Sequence, residues 1–237
     1  MRKNPSIIRP AISEEQAGAE TQRFFVKVYA WMALALSVTA LISFWASTSP
    51  QAIQFLTGYE YTFIILLLIE FLLVASLVGW IMKMTPETAG VVFILYAILN
   101  GLTLSVIFLM FTTESIVTTF LITAGTFMLM SIYGFFTKSD LTTLGNLLFM
   151  GLLGLILASV VNFFFQNEVF YWITTFAGIV IFTGLIAYDT QKIKKLNQLG
   201  NEGTDDDKRE AIIGALSLYL DFINLFLKLL RIFGKKR

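Results

Sequence analysis

Charged residues stand inside several of the long apolar runs of this chain. Glu70 lies in "LLLIEFLLV", Asp189 in "LIAYDTQKI" and Asp221 in "LYLDFINLF", with Lys228 and Arg231 following in the same last run. An ionised group left in hydrocarbon without a partner loses several kcal/mol, so such a residue has either a partner or a function. Two carboxyls that share a site cannot both ionise cheaply; they hold one proton between them and titrate as a unit. A unit of that kind inside a helix bundle suits three chemistries. It can sense protons, it can bind a hard cation such as calcium through oxygen, or it can act as an aspartyl protease dyad. Glu70 and Asp221 are the most anomalous, because apolar residues flank each of them for two turns on both sides.

The elements that must carry these residues are membrane helices. Of 237 residues, 57% are hydrophobic and only 14% charged, against about 25% charged in a soluble domain. The mean hydropathy is +0.76. Apolar blocks run over about 24–46, 61–82, 88–110, 115–136, 143–165, 169–189 and 211–233. Each is close to the ~20 residues that cross ~30 Å of hydrocarbon as a helix. No alternating ten-residue pattern suggests a barrel, so the expected fold is all-α, a polytopic bundle of seven transmembrane helices. The chain reads as a single integral membrane domain over 1–237, with a tail at 1–23 and the bundle at 24–233.

Short polar links separate the blocks. "STSPQ" and "KMTPET" each carry a proline, and Thr85 with Pro86 fits an N-cap followed by the first helical turn. Lys and Arg cluster in the first 27 residues, at Lys83, at Lys138 and in 191–210, while the intervening links lack them. That alternation places the N-terminus in the cytoplasm of a cell inner (plasma) membrane. It fails at the end, where a full seventh crossing carries Lys235, Lys236 and Arg237 outside. Either the last helix is re-entrant or the rule is overridden there.

Whether Asp189 and Asp221 meet depends on depth. "TQKIKKL" continues the sixth helix for two turns past Asp189, and the seventh can start at "DDDKRE", where acids suit a helix N-terminus. Measured from the link, the two depths are then about 12 and 21 Å, two turns apart, a mismatch that tilt or a later helix start would reduce. The bland alternative makes Asp189 an interfacial acid paired with Lys192 or Lys194. Glu70 alternatively serves as half of a structural ion pair, Lys228 as a snorkelling residue, and Gly151, Gly154 and Ala158 as a packing face. Trp31, Trp45, Trp80 and Trp172 read as interface anchors.

The chain has no cysteine and no histidine. Thiolate sites, a histidine zinc motif and a Ser-His-Asp triad are therefore excluded. A net charge of +1 gives no reason to expect nucleic acid as a partner. The 23 residues before the first span do not resemble a secretory signal.

"AYDTQ" at 187–191 and "LYLDFINLF" at 218–226, supported by "NGLTLS" at 100–105 and the mid-helix Glu70, make the chain resemble the Bax inhibitor-1 family in its bacterial branch. The resemblance covers nearly the whole chain, and "LYLDFINLF" is its most specific motif. It implies a bundle whose last helix is central, with six around it. It implies a pH-sensitive calcium leak with calcium as the permeant ion, no cofactor and no enzymatic activity. It maps the family's paired aspartates onto Asp189 and Asp221, as sensor and calcium-binding groups. It also maps a second-helix glutamate onto Glu70 and an arginine onto Arg231, as a structural ion pair, which favours seven full crossings. Where some members carry a latching arginine at the end of the second helix, this chain offers only Lys83, a point charge that makes a weaker latch. The expected partners are the bilayer and calcium, with no membrane-protein partner specified. The competing readings are a non-conducting scaffold that regulates other membrane proteins and an intramembrane aspartyl protease. The protease reading lacks the Gly-x-Gly-Asp and Pro-Ala-Leu sequences of that class.

Overall fold

The computed structural model describes residues 13–58, 61–197 and 199–237. Arg2, Lys3 and Arg9, used above for orientation, lie outside them. The helices are α1 (Glu14–Thr48), α2 (Pro50–Thr57), α3 (Thr62–Trp80), α4 (Pro86–Met110), α5 (Thr113–Phe136), α6 (Thr142–Phe165), α7 (Glu168–Leu196) and α8 (Asp205–Phe233). Seven of them, all but α2, are long and apolar enough to cross a membrane. The face at which α1 begins is called the near face below, and its opposite the far face.

Local chemistry sets the helix ends. Ser13 and Gln16 form a reciprocal capping box that starts α1 at Glu14 rather than Phe24, so that part of the expected tail is helical. Thr85 caps α4 with Pro86 in its first turn, as the sequence predicts. Within the polar link after α1, Pro50–Thr57 folds as α2 because Ser49 caps it and Pro50 occupies the first turn. Thr204 caps α8 just ahead of three acids.

The centre of the bundle is α8, which packs against α1, α4, α5 and α7. Around it, α3 packs on α4, α4 on α1, α5 on α7 and α7 on α6. Close packing is interrupted at two places, between α1 and α5 and between α3 and α6. The sequence of α8 fits its position, because burial extends to every side of it, from Ile212 and Leu216 to Phe222 and Leu230. The outer helices instead expose large apolar side chains such as Phe71, Met150 and Val180.

The re-entrant option for the last helix is ruled out. α8 is one continuous helix of 29 residues, about 43 Å long. Its tail reaches the far-face link between α4 and α5, where the Thr112 amide donates to the Lys235 carbonyl at 2.9 Å and the Arg237 amide to Met110 at 3.1 Å. At the near face the α7–α8 link is tied to α1. Arg23 makes two hydrogen bonds to Glu202, at 2.7 and 2.8 Å. Lys27 reaches the buried Asp207 at 2.6 Å, and the same carboxylate accepts from the Gly203 amide at 2.8 Å.

Two expectations about packing need correction. Gly151 faces Ile181 closely, but Gly154 meets nothing; further close contacts from α6 are Gly145 under the Tyr188 ring and Leu148 against Gly184. Trp31 lies over Gly90 of α4 and fills a helix–helix contact, whereas Trp45, Trp80 and Trp172 are exposed.

Candidate functional site

The register of α7 against α8 decides whether the aspartates meet. Gly214 lies against Ile193, and Gly178 lies against the stem of Lys228. In an antiparallel pair these contacts put Asp189 level with residues 217–218, one turn from Asp221. The two-turn mismatch expected from the sequence shrinks because α8 starts below the end of α7. The link drops past Leu196, and Asp207 is anchored there by Lys27 and the Gly203 amide. One turn is about 5 Å, which two aspartate side chains span. Their carboxyls come within hydrogen-bonding reach of one another. Asp221 is 5% exposed, and its Oδ2 has no donor among the described residues. Asp189 is half-buried.

Both aspartates line a cavity of about 1080 Å³ between α3, α6, α7 and α8. Its walls run from Asn146 at the near end of α6 to Phe164 at the far end, a rise of about 27 Å. That is close to the ~30 Å thickness of the hydrocarbon layer. Ser217 and Asn224 add oxygens beside the pair, and the remaining wall is largely apolar. Among the described residues no group of three or more acids could hold a metal ion, and Glu70 is the third carboxylate on the cavity wall.

The base beside the pair is Lys192, not Lys83. Lys192 lies on α7 near the next turn, lines the cavity and sits over the Tyr188 ring at 5.9 Å, and its charge reaches both carboxyls. Lys83 is exposed in a short 3₁₀ turn after α3. The turn that carries Lys83 lies beside the start of α8 instead: Ile81 is buried there, and Arg209 donates to the Met84 carbonyl at 2.9 Å.

The expected ion pair between Glu70 and Arg231 is also absent. The Glu70 carboxylate accepts from Asn100 Nδ2 at 3.2 Å and from Thr103 Oγ1 at 3.0 Å. Asn100 Oδ1 in turn accepts from the Tyr219 hydroxyl at 3.1 Å, and that hydroxyl shares a 2.7 Å hydrogen bond with Thr39. This chain of groups fixes Glu70 level with Tyr219 of α8. Arg231 lies three turns further out, about 18 Å along the axis. There its guanidinium sits 4.8 Å over the Tyr171 ring and donates to Thr175 Oγ1 at 3.5 Å. "NGLTLS" pointed at Asn100 and Thr103, but only as a motif. Tyr219 stands in "LYLDFINLF" two residues before Asp221, a polar group in an apolar run that the sequence marks as needing a partner.

Lys228 does not snorkel. It is 8% exposed, its stem crosses Gly178, and it lines the same cavity as the aspartates.

A central helix packed against four other long apolar helices, with a carboxyl pair between its middle and a neighbour, defines a polytopic helical membrane protein. Residues 21–237 match the family described as "Inhibitor of apoptosis-promoting Bax1". The chain belongs to that family, the Bax inhibitor-1 family. It is 43% identical over 236 residues to the "Inner membrane protein YbhL" of Escherichia coli, covering 99% of this chain and 98% of that one. An uncharacterized protein of Borreliella burgdorferi is 42% identical over 224 residues, 94% of this chain and 97% of its own. The uncharacterized protein YrjE of Lactococcus lactis is 39% identical over 213 residues, 89% of this chain and 90% of its own.

Proposed function

We propose that this protein is a pH-sensitive calcium leak channel of the inner (plasma) membrane, with its near face toward the cytoplasm. The observation that carries the reading is the Asp189–Asp221 contact inside a cavity that extends along most of the membrane thickness. Its orientation is supported by the basic residues gathered at the near face, among them Arg23, Lys27, Lys194 and Lys195. Calcium takes 6–8 oxygen ligands and keeps some as water. The carboxyl pair offers the charged oxygens, and Ser217 and Asn224 neutral ones.

The gate is the shared proton. With one proton between them, the two carboxyls hold α7 and α8 together. When it leaves, two anions face each other and their repulsion opposes that contact, while each is drawn to Lys192. These effects act in opposite directions on the closed pair, so the expected outcome is a pH dependence of flux. Flux of calcium into dye-loaded liposomes containing the purified protein should exceed that of protein-free vesicles. It should vary between about pH 5 and 8, and Asp189→Asn or Asp221→Asn should flatten the response. Flux equal to protein-free vesicles across that range would reject the channel and favour the non-conducting scaffold. Cleavage of a membrane-helix substrate would favour the protease.

A further inference from the structure

We propose that the groove between α3 and α6 binds an anionic membrane phospholipid, with an acyl chain along the apolar wall and the phosphate on Lys228. The proposal does not depend on the leak. Lys228 is a buried cation that makes no salt bridge among the described residues, and it faces the far half of the cavity. The acids of the same cavity are engaged or distant. Both oxygens of Glu70 accept hydrogen bonds from α4. Asp221 lies two turns back along α8, about 10 Å away. The like charge of Arg231, three residues on along α8, also acts on Lys228. Gly178 keeps the stem in place: a Cβ there would lie 2.8 Å from Lys228 Cε, so α7 closes over the lysine where a larger residue could not.

The groove opens sideways, because α3 and α6 do not pack against each other. Its rims are exposed apolar residues, Leu67 and Phe71 on α3 and Phe149, Ile156 and Val160 on α6. Only lipid lies beyond such a rim. The cavity matches the upper end of the ~300–1,000 Å³ range of ligand sites. The level of the head group also fits. α8 is about 43 Å long and outruns the ~30 Å hydrocarbon layer, and Lys228 sits about 8 Å inside its far end. A phosphate at that depth stays near the interface while its chain runs inward. A charge-assisted hydrogen bond to phosphate would supply the anion that the protein itself withholds.

Native mass spectrometry of protein extracted from equal phosphatidylglycerol and phosphatidylcholine tests this. Wild-type protein should retain one phosphatidylglycerol in preference to phosphatidylcholine. Lys228→Met should lower that preference on the order of tenfold or more. Lys192→Met, at the other end of the same cavity, should keep it. Equal preference in wild type and Lys228→Met, or equal loss in Lys192→Met, would overturn the site. Retention of inorganic phosphate in place of lipid, lost in Lys228→Met, would make it a soluble-anion site and reject the lipid. Lys228→Met should melt no lower than wild type in lipid-free detergent; a clear drop would reveal a protein partner for the lysine and overturn the proposal as well.

Discussion

The two sides of α8 treat polar groups in opposite ways. Toward α1 and α4, the buried polar groups are linked. Thr39, Tyr219, Asn100, Thr103 and Glu70 form one hydrogen-bonded chain across four helices, and Ser43 donates to the Gly101 carbonyl at 2.7 Å. Toward α6 and α7, among the described residues, Asp221 has an oxygen without a donor and Lys228 makes no salt bridge. In lipid a satisfied network holds helices together, whereas an unsatisfied group is costly unless something else uses it. The difference separates structure from function on a single helix. Glu70 shows that charge alone does not make that separation, since it lines the cavity yet belongs to the satisfied side.

The largest effect should come from breaking the satisfied side. Glu70→Ala leaves the Asn100 amide without its acceptor, while the Thr103 hydroxyl keeps the Asn100 carbonyl at 3.0 Å, and should cost about 1–3 kcal/mol. Asp221→Asn removes no hydrogen bond to a donor and supplies one toward Asp189, so stability should change by less than about 1 kcal/mol. Reversible unfolding of both variants in one detergent makes the comparison. If Asp221→Asn is as damaging as Glu70→Ala, the two sides of α8 are not different in kind.

A smaller effect tests the level assigned to Glu70. Because Arg231 sits three turns outward on Tyr171, the two residues do not touch. Arg231→Gln alone should lose its contact with that ring and its long hydrogen bond to Thr175, about 1 kcal/mol together. The double change of Glu70 and Arg231 should then equal the sum of the single changes within about 0.5 kcal/mol. A coupling of several times that size would place the two charges in contact and require α3 to lie closer to the far end of α8.

Much of the architecture was legible from residue order. Seven apolar blocks are a property of length, and helix former past Asp189 and acids before Ala211 located the ends of α7 and α8. The pair of aspartates stood out because carboxylates in hydrocarbon need a reason. What stayed illegible was the facing of the outer helices. A membrane helix is apolar toward both lipid and protein, so α3 carries no stripe to say that Glu70 turns to α4 rather than to α8. The depth of Glu70 was equally hidden, since it depends on where α8 starts relative to the other helices, and that is set by Asp207 on Lys27 across a long sequence separation. Lys228 read as a snorkelling residue because nothing in the chain announces that Gly178 lets α7 close over it.

The smallest effect concerns the near face, where acids are plentiful and one of them could be mistaken for the pH sensor. Asp140 is exposed but accepts from Lys195 at 2.8 Å and from the Thr142 hydroxyl at 2.7 Å. Those bonds, Lys195 first, bring its carboxyl down to about 2 from the ordinary 3.8. Glu202 is likewise held below the usual glutamate range by its hydrogen bonds to Arg23. For a depressed carboxyl the sign is fixed: its contribution is fully present above the unfolded value and is lost only as pH falls through the folded one. Neither group therefore changes charge between about pH 5 and 8, the window expected of the leak. Asp140→Asn and Glu202→Gln should leave the flux–pH profile of the wild type unchanged, and a carbon-13 carboxyl titration should find Asp140 still ionised well below 3.8, rising toward that value in Lys195→Met. A flattened profile in either variant would move the sensor out of the cavity to the near face, where its proton would act through the tie of Asp140 to Lys195 on α7 or of Glu202 to Arg23 on α1 instead of through Asp221.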